Sequence, residues 1–546
     1  MRYRFLLLCF IVIILVGCGG EPEATPTPTT TASPPTMVVP TANPAEATNT
    51  PEPASDAAAT PTPEDIASVP DNSHLPPSTL FAGPGEERSI YADTLIGSEQ
   101  AILSGLPGAT VYHLELEIDE SLLAVRGREA LLYTNRADVP LNEIYLRLFP
   151  NIFGGSSTVS TVTVNDQPVT PVLELNDSAL RIPMEPALMP GEQVVISLNF
   201  DLTVPTTPIG NYGAYATINN IMALAHFYPM VSVYDDEGWN IEIAPPAGDV
   251  VYAEAGFYRA RITAPANLVL VTTGNIVEQQ TVGEQQIVTA VAGPARDFYL
   301  AGSPYFVPLT GQSGESTVIS YAFREHADRG REMLDYTIYA MDLYAEMFGP
   351  YPYTELEFAS TSNEALGIEY PGVFVNSMFL YTPEQEYSVP DSYYMESTTV
   401  HETSHQWFYN VVGNDQLDEP WLDESLAQYA TYLYFVDRYG AEEAEEFYST
   451  FNLRWERGSN NADLPIGLPV SSYIGPQYSG IIYGRGPLFF ATLQEELGAD
   501  TFAAFLKDYY RSYQWGIATT EGFRSLAEQH CTCDLTTLFE AWVYPR

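Results

Sequence analysis

Apolar residues recur along this chain with two different periods. From about residue 107 they alternate: Leu114, Leu116 and Ile118 are interleaved with His113, Glu115 and Glu117, and Ile196, Leu198, Phe200, Leu202 and Val204 with polar neighbours. Alternation turns one face of an extended chain to a core and the other to water, so these runs predict half-buried strands. The stretch "TVTVNDQPV" predicts two short strands about an Asn165-Asp166 turn, and the pattern continues through "YRARITAP" and "LVLVTTGN" to "STVISYAF". Near 325 the period lengthens: Met333, Ile338, Met341, Leu343 and Met347 are spaced as on a helix, which Gly349-Pro350 should stop. Beyond it only "TELEFAS" reads as a strand. The expectation is an all-β domain over 107–324 followed by a mainly helical α+β domain over 325–546, with no internal repeat.

The N-terminus follows neither period. Arg2 and Arg4 precede an apolar run from Phe5 to Val16 that is too short to cross a bilayer comfortably, so residues 1–17 read as an export signal. The run ends in Leu15-Val16-Gly17-Cys18, which resembles the lipobox of bacterial lipoproteins. That resemblance implies cleavage before Cys18 and lipid on its sulfur, hence an exported protein anchored to the extracytoplasmic side of a membrane. Residues 18–106 are then expected to be a stalk: Pro, Thr and Ala dominate 21–70 and offer little to bury. At ~3.1 Å per residue such a segment reaches on the order of 100 Å.

Charge narrows the choice of partners. The chain has 546 residues and a formal net charge of −48, and Lys507 is its only lysine; loss of the signal removes Arg2 and Arg4 and brings the charge to −50. So negative a field excludes nucleic acid and anionic lipid surfaces as partners. With Cys9 cleaved off and Cys18 lipidated, Cys531 and Cys533 remain. Two cysteines cannot build a four-cysteine zinc site, and a local disulfide or a pair of buried thiols is the expectation outside the cell.

The candidate chemistry lies in "HETSHQWFYNVVGNDQLDEPWLDES", residues 401–425. Four residues make about one helical turn, so His401 and His405 share a face and can reach one metal ion, while Glu402, about 100° around, can reach a water beside it. Two neutral imidazoles are a poor cage by themselves. Glu424, on the next helical stretch "WLDESLAQYATYLYF", supplies a third ligand. Two histidines and one carboxylate suit a catalytic zinc ion with an open position, with Glu402 as the base.

HExxH followed after eighteen residues by Glu, extended as "HQWFYN…WLDES", resembles the gluzincin aminopeptidases, the zinc peptidase family that includes aminopeptidase N and leukotriene hydrolase. Two further stretches agree with it. "LGIEYPGVFVNS" is similar to the family segment whose glutamate binds the free amino terminus of the substrate, which implies that role for Glu369. "IIYGRGPLFFATL" is similar to the segment carrying the tyrosine that stabilises the tetrahedral intermediate, which implies Tyr483. The resemblance covers roughly 110–546 and implies a β-saddle domain, with "MALAHFYPMVSVYDDEGW" facing the active site, and a thermolysin-like catalytic domain holding one zinc ion.

The chain departs from the family pattern in places. Leu366 and Ile368 replace the usual Gly and Met before Glu369, Asp423 stands where Asn is commoner, and the helical third domain of many relatives is expected to be missing, leaving an open cleft. The resemblance therefore implies an aminopeptidase acting on peptides. A zinc endopeptidase with an open cleft is the alternative of the same class, and a non-catalytic peptide-binding surface protein the alternative of another.

Overall fold

The computed structural model describes residues 88–245, 248, 250–382, 391–459 and 462–545. The signal, Cys18 and the stalk up to residue 87 lie outside the described residues. The described residues belong to one compact unit.

The alternating runs form an eight-stranded sheet. Its order is Asn275–Val282, Gln285–Ala295, Gly256–Pro265, Val111–Ile118, Ala124–Thr134, Gln193–Thr203, Ser156–Val164, Gln167–Pro168. Neighbours are antiparallel except Val111–Ile118 and Gly256–Pro265, which run parallel with Val111 opposite Phe257. The Asn165-Asp166 turn is present, both residues at positive φ, as a tight hairpin requires. Leu114, Ile196, Leu198 and Phe200 point into one apolar core with Tyr258 and Ile262. Two four-stranded sheets, Val269–Thr272, Leu300–Ser303, Ile221–Leu224, Tyr215–Ile218 and Met230–Val231, Leu141–Arg147, Ala179–Leu188, Val172–Glu174, and a two-stranded one, Tyr234–Asp235 with Gly238–Trp239, complete this half.

The helical half has its own core. The helix Ala327–Met347 ends one residue before Phe348, as the Gly349-Pro350 signal requires, and buries Met333, Leu334, Ala340, Met341 and Tyr344. A five-stranded sheet lies across the expected boundary at 324. Its order is Phe306–Ser313, Ser316–Phe323, Glu355–Thr361, Val373–Ser377, Gly367–Tyr370. "TELEFAS" is therefore one of three strands after 325, and the strand carrying Glu369 is the edge of the sheet. Sequence reading missed it because Gly367–Tyr370 is only four residues long and has no period to detect.

Two observations tie the halves together. Arg296 donates from Nε to the Tyr409 carbonyl (2.6 Å) and from one terminal nitrogen to the carbonyls of Val411 (3.1 Å) and Gly516 (2.6 Å). The segment Arg88–Gly105 also folds onto the body, which corrects the expected end of the stalk at 106. Tyr91 is buried against Phe257, Leu95 pairs with Tyr353, and Ile96 N–H donates to the Pro352 carbonyl at 2.9 Å. The physical reason is composition: Tyr91, Leu95 and Ile96 offer apolar surface that the Pro/Thr stretch lacks. Cys531 and Cys533 form a local disulfide, one of the two expected states.

Candidate metal centre

The helix Asp391–Ser404 carries His401 and Glu402 in its last turn, and His405 follows at its end, its N–H still bonded to the His401 carbonyl at 3.4 Å. His405 Nδ1 donates to the Phe408 carbonyl at 2.9 Å, so Nε2 is the ring nitrogen left to face a cation. That Nε2 lies 3.1 Å from His401 Nε2 and 3.5 Å from Glu424 Oε2, and His401 Nε2 lies 3.1 Å from the same oxygen. Three ligand atoms thus converge, as the spacing of the motif predicted.

Glu424 does not sit in an ordinary helix. Trp421–Ser425 is a single wide π-turn that opens the helix Leu426–Tyr439, and Tyr483 sits in a second, Ile481–Arg485, ahead of the helix Gly486–Leu497. Such turns insert one residue into a helix and re-aim the side chains around it. The two turns are joined: Ser425 Oγ donates to the Ile482 carbonyl at 2.6 Å, and a Cβ on Gly486 would meet Ser425 Oγ at 1.9 Å, so only glycine allows the approach. The result is a hydrogen bond from the Tyr483 hydroxyl to Glu424 Oε1. The Arg454 guanidinium lies 5.7 Å from the centre of the Tyr483 ring.

Glu369 and Glu402 also approach His405. Glu369, Glu402 and His405 also place ligand atoms within 4.8 Å of one another, as His401, His405 and Glu424 do. Since Nδ1 of His405 is committed to Phe408, its single free nitrogen cannot serve two ions. The triad His401, His405, Glu424, with two nitrogens and one oxygen, is the set that fits zinc. Glu402 is buried, and its Oε2 has no hydrogen-bond partner. A Cβ on Gly367 would come within 2.4 Å of Glu402 Oε1, so the edge strand can lie against this carboxylate only with glycine there.

Burial dominates the electrostatics. It raises the Glu402 carboxyl well above the usual range, with the Glu369 charge adding to the rise, and it brings Glu369 up to about 7, helped by Glu424 and Asp423 and opposed by His405. Burial also favours the neutral form of His401. For His405 burial acts in the same direction, but the facing Glu369 and the bond to Glu424 outweigh it and raise its proton affinity. Burial would likewise raise Glu424, and the hydrogen bonds of both histidines more than offset it, holding the group well below the carboxylate range. A carboxylate kept ionised beside imidazoles is a cation ligand in waiting.

Sequence reading missed three residues here. Gln406, fully buried, donates from Nε2 to the Tyr370 carbonyl (3.0 Å) and accepts from Gly372 N–H (2.9 Å), clamping the turn after Glu369 to the end of the metal-binding helix. Gln416 donates to Glu369 and to Asp423, and Asn414 donates to the other oxygen of Asp423 at 3.0 Å. Gln406 had a signal, its place directly after His405; Gln416 and Asn414 lie in a loop without one.

Comparison with known proteins agrees with this geometry. Residues 332–542 match the peptidase family M1 domain. Aminopeptidase M1-D of Oryza sativa subsp. japonica is 24% identical over 297 residues, covering 52% of this chain and 34% of that protein. Probable aminopeptidase 2 of Sulfurisphaera tokodaii is 22% identical over 297 residues, covering 52% and 38%. The chain thus spans about a third of the length of the curated relatives it matches. An M1 zinc metallopeptidase from Deinococcus radiodurans shares the fold, with a TM-score of 0.59 at 19% identity over 81% of this chain and 96% of that one. A mutant of a Deinococcus radiodurans M1 zinc metallopeptidase bound to a Tyr-Ser-Ala substrate aligns with a TM-score of 0.58 at 19% identity, over 80% and 95%.

Proposed function

We propose that this chain, whose residues 332–542 match the peptidase family M1 domain, is a gluzincin and a zinc aminopeptidase that removes amino-terminal residues from peptides. His401, His405 and Glu424 hold the ion, which when bound supplies Lewis acidity toward the scissile carbonyl and a water poised for attack. Glu402 is the base: its buried carboxylate has a raised proton affinity, so it can take a proton from the attacking water and pass it to the leaving amine. The Tyr483 hydroxyl gives its one proton to Glu424 Oε1 in this structure; with Glu424 committed to the ion, it turns that proton to the oxygen on which negative charge develops.

The observation that carries the exopeptidase reading is the position of Glu369. It lies on an edge strand, buried, with a ligand atom within 4.8 Å of those of Glu402 and His405. A carboxylate there accepts a charge-assisted hydrogen bond from a substrate ammonium and fixes the first peptide bond at the catalytic groups. Free peptides are expected to be cut at least ~100-fold faster than their N-acetylated forms, because an unpaired buried charge costs several kcal/mol. Glu369→Ala should erase most of that preference by slowing the free peptide. Comparable internal cleavage of acetylated peptides would replace this reading with the endopeptidase.

The proposal extends to location. The leader ending in Leu15-Val16-Gly17-Cys18 supports export and lipid attachment at Cys18, so that the membrane is a partner through the lipid alone. No helix among the described residues is long and apolar enough to cross a membrane. Metabolic labelling with a fatty acid tests this: label that persists in Cys18→Ala rejects the lipidated form.

A further inference from the structure

The Glu369 carboxylate is held by a side chain from another element. Its Oε1 accepts a hydrogen bond from Gln416 Nε2 at 3.1 Å, and the same nitrogen donates to Asp423 Oδ2 at 2.8 Å. An amide nitrogen carries two hydrogens, so both are spent on two carboxylates. The far oxygen of Asp423 accepts from Asn414 Nδ2 at 3.0 Å, and Asn414 Nδ2 also donates to the Glu419 carbonyl at 3.2 Å. Gln416, Asp423 and Asn414 are all buried, so bulk solvent does not reach these bonds. Asp423 belongs to the π-turn that delivers Glu424, so the chain Glu369, Gln416, Asp423 links the edge strand to the ligand-bearing turn.

Resting on the aminopeptidase reading, we propose that Gln416 is the positioning residue of the α-amino subsite, and that Asp423 anchors it. Two buried carboxylates this close repel each other, and a donor shared between them is what lets both stay in place. Pinned by one oxygen, Glu369 presents the other to the substrate ammonium at a fixed distance from the catalytic groups. Leucine at 416 would remove the shared donor and free Glu369 to turn away. Glutamate there would keep the shape and replace the donor with an acceptor.

The test separates this role from general stability and from the parent reading. Calorimetric titration of leucinamide and N-acetyl-leucinamide into the zinc-loaded chain gives a binding ratio that reports the ammonium alone. The native chain should prefer leucinamide at least ~10-fold, which corresponds to ~1.4 kcal/mol. Gln416→Leu and Gln416→Glu should each bring the ratio down toward one. With a dipeptide substrate they should raise KM ~10-fold or more and change kcat ~3-fold at most, at unchanged zinc content. In a Glu369→Ala background the same substitutions should do nothing further to the ratio, since the residue they position is gone. Either folded variant keeping the native ratio, or adding its own loss on top of Glu369→Ala, overturns the proposal. A native chain that shows no preference for leucinamide overturns the aminopeptidase reading itself. The isosteric Gln416→Glu decides the matter if Gln416→Leu does not fold.

Discussion

In the strand Gln193–Thr203 the residues withdrawn from water are mostly apolar, among them Ile196, Leu198 and Phe200; at the end of the helix Asp391–Ser404 they include Thr403, Ser404, His405 and Gln406. Both regions are closed to solvent, and they spend that closure differently. The sheet gains ~25 cal/mol for each Å² of apolar surface removed from water. The metal centre buries imidazoles, carboxylates and amides, whose desolvation costs free energy that only hydrogen bonds, and a cation among them, can offset. The comparison teaches that substitutions should separate cleanly: in the sheet they change stability and leave chemistry alone, at the centre the reverse.

Glu402→Gln tests that separation most severely. It should lower turnover by ~10³-fold or more, since the proposed general base is lost, while zinc content stays at the native level and the melting temperature holds, since the amide keeps the size and shape of the buried carboxyl. Metal analysis and calorimetry alongside kinetics check it, and a loss of zinc would mean that Glu402 belongs to the ligand set. Tyr483→Phe should come next, with a ~100-fold drop in kcat and little change in KM, because one transition-state donor contributes ~2.7–4 kcal/mol. A loss confined to KM would make Tyr483 a pocket wall.

Ile196→Ala carries the comparison into the sheet. Unfolding measurements should show a loss of ~2–5 kcal/mol for this fully buried side chain, with kcat/KM of the folded fraction within ~2-fold of native. A large drop in kcat/KM would show that the sheet and the centre are mechanically coupled, with Arg296 the first suspect.

The smallest effect sharpens the contrast between two buried glutamates. Glu357, on a central strand, accepts from the Tyr321 hydroxyl (2.8 Å) and from Thr272 N–H (3.0 Å), and burial raises its carboxyl to about 8. Its proton is held more tightly in the folded state than in the unfolded one, so it stabilises fully below pH ~4.5, and that contribution is lost as pH rises through about 8. Glu357→Gln should therefore flatten the decline of stability between those limits, without altering peptide cleavage. An unchanged pH profile of unfolding would show that Glu357 is already ionised in the folded protein.

Legibility followed the same divide. The alternation of Leu114, Leu116 and Ile118 and the four-residue spacing of His401 and His405 are local, and each maps directly onto a strand face or a helix face. Glu369 was legible only through its family segment, because no local pattern connects it to residues 401–405. The segment Arg88–Gly105 was misread as stalk because its apolar residues show no period, and what captures them is a surface formed by Phe257, Pro352 and Tyr353.

By itself the sequence determined the two periods, the placing of His401 and His405 one helical turn apart and the acidity of the chain, since each is a property of neighbours along one strand, one helix turn or the composition as a whole. Tertiary structure alone decided that Gly367 lets the edge strand touch Glu402, that two π-turns joined through Ser425 and Gly486 bring Tyr483 to Glu424, and that Gln416 bridges Glu369 and Asp423. Gln416 and Glu369 are 47 residues apart. Contacts of that kind depend on which elements the sheet order and helix packing bring together, and on a burial that makes these polar atoms find their partners within the protein.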